Sequence, residues 1–129
     1  MNTFISYLSP GERMSRQDQL TSSNKQWSLL FESDGDIQLR ELQNGSWKPK
    51  WKISEADPAY KPIMSRATFM KMTSEGQLIV TDQAESTLWE ANDKPDKKKT
   101  GFLVLHNHGR LEVAHSHWNS GTGLSPESD

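Results

Sequence analysis

Three stretches of the chain decide its fold: Leu29-Leu30-Phe31-Glu32-Ser33-Asp34-Gly35-Asp36-Ile37-Gln38-Leu39, Met70-Lys71-Met72-Thr73-Ser74-Glu75-Gly76-Gln77-Leu78-Ile79-Val80 and Leu103-Val104-Leu105-His106-Asn107-His108-Gly109-Arg110-Leu111-Glu112-Val113. Aligned on Gly35, Gly76 and Gly109, they agree at the positions six and four before the glycine and two and four after it. Those positions hold Leu29, Phe31, Ile37 and Leu39, then Met70, Met72, Leu78 and Val80, then Leu103, Leu105, Leu111 and Val113. Apolar residues with period two on both sides of a turn signal a β-hairpin with one buried face. The central glycine supplies the positive φ that such a turn needs.

A tryptophan follows each hairpin, at Trp51, Trp89 and Trp118, and its gap from the glycine shortens along the chain. The loops differ while the core positions recur. A lone hairpin is marginal in water, so three of them must share one core. This implies a single all-β domain over residues 1–129, with repeats centred on Gly35, Gly76 and Gly109. An ordinary β-sandwich with three similar hairpins is the competing reading. Asp57-Pro58-Ala59-Tyr60-Lys61-Pro62 and Asn92–Gly101 are polar and carry proline, so both read as exposed connections between units.

Composition narrows the function classes. Of 129 residues, 33% are hydrophobic, mean hydropathy is −0.82 and the formal net charge is −2. That balance favours neither nucleic acid nor a membrane surface as a partner. No stretch approaches the ~20 apolar residues of a membrane span. There is no cysteine, which removes disulfides, zinc-thiolate sites and thiol catalysis. The opening ten residues lack a basic segment followed by a long apolar run. With the absent cysteines, this points to the cytoplasm, or to release without a recognisable signal peptide.

On the three hairpins, their tryptophans and an opening that runs Leu8-Ser9-Pro10-Gly11-Glu12-Arg13-Met14 and Leu20-Thr21-Ser22-Ser23-Asn24, the chain resembles the bulb-type (monocot mannose-binding, lily-type) lectin family over about residues 6–120. The resemblance implies a type II β-prism: three four-stranded antiparallel sheets about a pseudo-threefold axis. It implies a carbohydrate-binding lectin, not an enzyme, with no cofactor and a glycan or glycoprotein as partner. Some members exchange C-terminal strands to form dimers. The corresponding segment here is Leu111–Trp118, with His115 to Ser120 as the exchanged end.

The family's sugar motif is Gln-x-Asp-x-Asn-x-Val-x-Tyr, once per unit. Alternate residues of a strand point to the same side, so amide, carboxylate and phenol can meet adjacent sugar hydroxyls. The aligned residues are Glu32, Asp34, Asp36, Gln38 and Arg40, then Thr73, Glu75, Gln77, Ile79 and Thr81, then His106, His108, Arg110, Glu112 and Ala114. Only Asp34 matches in the first unit. The second keeps an acid, an amide and an apolar contact, and the third keeps nothing. The buried pattern is retained while the exposed pattern is rewritten, and the site, not the scaffold, must argue function. Two readings follow. Either the mannose-type sites are degenerate or retuned, with ligand-binding residues Thr73, Glu75, Gln77, Ile79 and Thr81, then Glu32, Asp34, Asp36 and Arg40; or sugar binding is lost and the prism acts through protein–protein contacts.

Other groupings have plain explanations. His106 and His108 share one parity, His115 and His117 the other, which argues against four metal ligands on one face. Lys48, Lys50 and Lys52, and the run Lys97–Lys99, could meet an anionic glycan or phosphate, but read more simply as solvated edges. Asp34 with Asp36, or Glu32 with Asp34, could pass for paired carboxylates, but acids at a turn are more often turn residues. Trp27 and Trp47 lie outside the hairpin set and suit either sugar stacking or core packing.

Overall fold

The computed structural model describes residues 1–91, 101–113 and 120. Twelve strands are described: β1 (Thr3–Ile5), β2 (Tyr7–Leu8), β3 (Arg13–Ser15), β4 (Gln19–Thr21), β5 (Trp27–Phe31), β6 (Ile37–Gln43), β7 (Ser46–Lys52), β8 (Phe69–Met72), β9 (Leu78–Thr81), β10 (Thr87–Glu90), β11 (Leu103–Leu105) and β12 (Leu111–Val113). They form three sheets, ordered β1-β4-β5-β6-β7, β10-β9-β8-β3 and β12-β11-β2. The three-sheet arrangement is the expected one. Among the described residues its strands divide five, four and three, because β1 adds to the first sheet by parallel pairing with β4.

Each hairpin forms the centre of one sheet. Leu29 faces Leu39, Met70 faces Val80 and Leu103 faces Val113. All twelve aligned apolar positions are at most 2% exposed, and they merge into one cluster with Leu8, Met14, Leu20 and Ile53. A fully buried side chain of this size contributes roughly 1.5–3 kcal/mol, so the repeated pattern is the main source of stability. Gly35, Gly76 and Gly109 have φ of +97°, +88° and +95°. Trp89 is buried, and Trp51 packs partly buried against the core. Trp118 lies outside the described residues.

The N-terminal segment joins the three sheets. Its strand β2 pairs with β11, β3 with β8, and β4 with β5. One continuous stretch therefore closes an edge of every unit, and its Leu8, Met14 and Leu20 are fully buried beneath the three sheets.

The connection after β7 departs from the expectation of an exposed polar loop. Residues 53–66 carry the short helix α1 (Ile53–Ala56) and two 3-10 turns, Pro58–Tyr60 and Met64–Arg66. Asp57 caps the first turn by accepting from the Ala59 amide at 3.3 Å, with Pro58 at the first turn position. Polar composition over Asp57–Pro62 hid one anchor, Tyr60, and Ile53 just before it is a second, each 1% exposed. The second connection lies outside the described residues except for Gly101. Among the described residues, no helix is long and apolar enough to cross a membrane.

Candidate functional site

The first sheet turns Gln38 and Arg40 to its outer side, and burial shapes what they can do. Arg40 donates to Gln19 Oε1 at 3.3 Å, and its guanidinium lies 4.5 Å from the centroid of the Trp47 ring. Gln38 stands opposite Lys52, whose Nζ is 3.8 Å from Glu32 Oε2. That separation exceeds a hydrogen bond, and Glu32 Oε2 is buried without one. Desolvation pushes the Glu32 carboxyl above its ordinary range, with Lys52 opposing. Desolvation also pulls Arg40 below its ordinary value, with Glu32 opposing. Trp27 is a core residue, 8% exposed; Trp47 serves as the platform for Arg40.

Asp34 and Asp36 are not a catalytic pair. Asp34 Oδ1 accepts from the Asp36 amide at 2.9 Å, the bond of a turn-forming aspartate, and its side chain is exposed. Strand alternation would point Asp36 outward, yet it is 3% exposed. Its carboxylate accepts from the Ile37 amide at 2.9 Å, the Ser54 amide at 3.2 Å and the Ser54 hydroxyl at 2.5 Å. The cause is the connection over residues 53–66, which crosses this hairpin turn and takes the carboxylate for its own anchoring.

The second sheet has a different layout. Thr73 is committed to the turn, its Oγ1 accepting from the Gln77 amide at 3.0 Å. Glu75 is exposed at the tip. The Gln77 side chain donates from Nε2 to Glu90 Oε2 at 2.8 Å. Ile79 and Thr81, expected on the surface, are only 8% and 0% exposed. Their neighbours across the sheet are Lys71 and Phe69. Lys71 Nζ meets Glu85 Oε1 at 2.8 Å, and the Arg13 guanidinium sits 4.1 Å from the Phe69 ring centroid. Ile79 and Thr81 thus lie beneath the surface of this face rather than on it.

On the third sheet, His106 Nε2 lies 3.0 Å from Glu112 Oε1, and the His106 and His108 rings stack at 5.5 Å. Tyr7 pairs with Val104, is 52% exposed and meets Phe102 edge-on at 6.1 Å. Ala114, His115 and His117 lie outside the described residues. Among the described residues, no group of three metal-ligating side chains converges. Lys50 and Lys52 pair with Glu41 and Glu32 on β7, an edge strand, as the solvated-edge reading expects.

The structure thus brings Glu32 and Arg40 together on one face and turns Asp36 inward, while in the second unit Gln77 pairs with Glu90 and Glu75 stands exposed at the turn tip. Sequence reasoning missed Gln19, Arg13, Lys71 and Glu90, and it did not place Trp47 and Lys52 beside the first motif. They are cross-strand neighbours of the motif, identifiable only once the strand pairing is known.

No family model matches the chain, and no curated protein matches it either. Solved structures do. A lectin of Marasmius oreades superposes with a TM-score of 0.75 at 20% identity, covering 94% of this chain and 95% of the other. A monomeric monocot mannose-binding lectin from Gastrodia elata gives 0.67 at 17% identity, covering 92% and 99%. The mannose-specific agglutinin of snowdrop (Galanthus nivalis) bulbs, complexed with methyl-α-D-mannoside, gives 0.63 at 17% identity, covering 93% and 99%. With its three hairpin-centred sheets around one core, the chain has the β-prism fold of the bulb-type lectins.

Proposed function

We propose that this chain is a non-enzymatic carbohydrate-binding protein whose mannose-type sites are retuned, with the second sheet as its principal site. The observation that carries this is the Gln77 amide, which donates to the Glu90 carboxylate at 2.8 Å, two residues beyond the exposed acid Glu75. A sugar hydroxyl both donates and accepts, so an acid beside an amide suits it. Ile79 and Thr81 are buried, so a ligand here would meet the turn residues and make only shallow contact. Strength would come from several weak sites acting together. That similarly folded proteins are lectins supports the ligand class. The first face, with Glu32, Asp34 and Arg40, ranks second, because Asp36 is committed to Ser54.

A broad glycan array with the wild type and a variant carrying Glu75→Ala and Gln77→Ala tests this reading. Binding that the variant loses supports it. A blank array from folded protein overturns it in favour of a prism that binds proteins. Ile5 and Tyr7, each 52% exposed, are the observation that favours that second reading.

A further inference from the structure

We propose that an open cleft of about 730 Å3 at the opposite end of the second sheet is a further saccharide site, separate from the three motif faces. This rests on the carbohydrate-binding reading above. Ser15, Arg66, Thr68, Asp82, Gln83 and Ala84 line it. Its size falls within the roughly 300–1,000 Å3 of small-molecule sites. Thr68 and Asp82 flank β8 and β9 at one end, and the Thr73–Gln77 turn caps the other. Four strand residues separate them, about 13 Å at ~3.3 Å per residue.

The wall comes from the connection over residues 53–66, held in place by Arg16. Arg16 donates from Nε to Ala67 O at 2.9 Å, from one terminal nitrogen to Ser33 O at 2.8 Å and from the other to Ser65 O at 2.7 Å. Three bonds to carbonyls fix the second 3-10 turn against the first hairpin and commit this guanidinium to the scaffold. Across the cleft, Arg66 meets Asp82 Oδ2 at 2.9 Å. Asp82 Oδ1 also accepts from the Ser86 amide at 2.9 Å, which orients the carboxylate.

The donor set selects the ligand. Arg66 is paired with Asp82, and Arg16 donates to three carbonyls, so both guanidiniums of the cleft are engaged by the protein and the ligand favoured is a neutral one. An oriented carboxylate beside a guanidinium offers acceptor and donor side by side, which matches vicinal hydroxyls. Ser15 and Thr68 add hydroxyls, Gln83 adds an amide, and Ala84 offers an apolar contact for ring carbons. The Ser86 amide and Arg66 keep the Asp82 carboxyl below its ordinary range, so it remains an acceptor in mildly acidic solution.

The test is amide NMR of the full chain titrated with methyl α-D-mannoside, methyl β-D-galactoside and N-acetyl-D-glucosamine. Shifts at Thr68, Gln83 and Ala84 with at least one sugar, weakened about tenfold by Gln83→Ala, support the site. Arg66→Gln, at a second exposed position, should weaken them likewise. Shifts confined to residues 73–81, unchanged in both variants, overturn the cleft and leave the lectin reading standing. No shifts with any of the three sugars overturn the cleft; the lectin reading then falls only if the glycan array is also blank.

Discussion

The Tyr60 hydroxyl donates to the carbonyl of Gly35 at 2.6 Å, tying the connection after the first unit to the turn of that unit's own hairpin. Gly35 has room for nothing more. A Cβ there would come within 1.9 Å of Met64 O. Together with the Asp36–Ser54 bonds, this contact turns a hairpin tip that sequence alone leaves exposed into a buried junction.

Tyr60→Phe should keep the ring packing and leave the Gly35 carbonyl unsatisfied. The expected loss is about 1–3 kcal/mol of stability, read by urea denaturation. Glycan binding at the second sheet should be unchanged.

Burial, reinforced by the charge of Asp36, pushes the Tyr60 phenol well above its ordinary value. The folded state therefore keeps this proton where the unfolded chain releases it. Stability contributed by the neutral phenol is present in full below the unfolded pKa of about 10 and falls as pH rises beyond it. Thermal melts from pH 8 to 11 should show this decline, and Tyr60→Phe should flatten it.

Glu32 gives the same sign at lower pH. Its folded pKa is raised, mainly by desolvation. Its favourable contribution is therefore full below the unfolded value of about 4.3 and is lost as pH rises through the folded pKa. Glu32→Gln should stabilise the protein at pH 7, with the gain vanishing near pH 4. A gain that persists in acid would show that ionisation is not its source.

Gly109 and Gly11 make a matched pair. Both have positive φ, +95° and +88°. A Cβ at Gly109 would meet the Trp27 ring at 2.3 Å, whereas one at Gly11 meets nothing within 4 Å. Gly11→Ala should cost about 1–2 kcal/mol from backbone conformation alone. Gly109→Ala should cost about 1–3 kcal/mol more, because the ring must move within a packed core. Chemical denaturation of the two variants separates the effects.

The hairpins were legible because burial on one face of a strand imposes period two locally. Twelve apolar positions around three glycines therefore placed the core without reference to any distant residue. The sites were less legible. Glu75 and Gln77 are legible by motif alignment, but Glu90, which meets Gln77, Lys71, which stands opposite Ile79, and Arg13, opposite Lys71, come from other strands, and no local signal pairs β3 with β8. Tyr60 and Asp36 were misread for the same reason: a polar, proline-bearing segment resembles a loop until its few anchors find a partner.

By itself, the sequence determined the repeat, the buried face of each hairpin and the three positive-φ turns, all consequences of neighbour-to-neighbour geometry. Only the tertiary structure decided that one N-terminal segment contributes a strand to each sheet, that residues 53–66 close over the first hairpin, and that Ile79 and Thr81 are buried despite their outward parity. Those outcomes depend on contacts between residues far apart in the chain, which alternation along a single strand cannot specify.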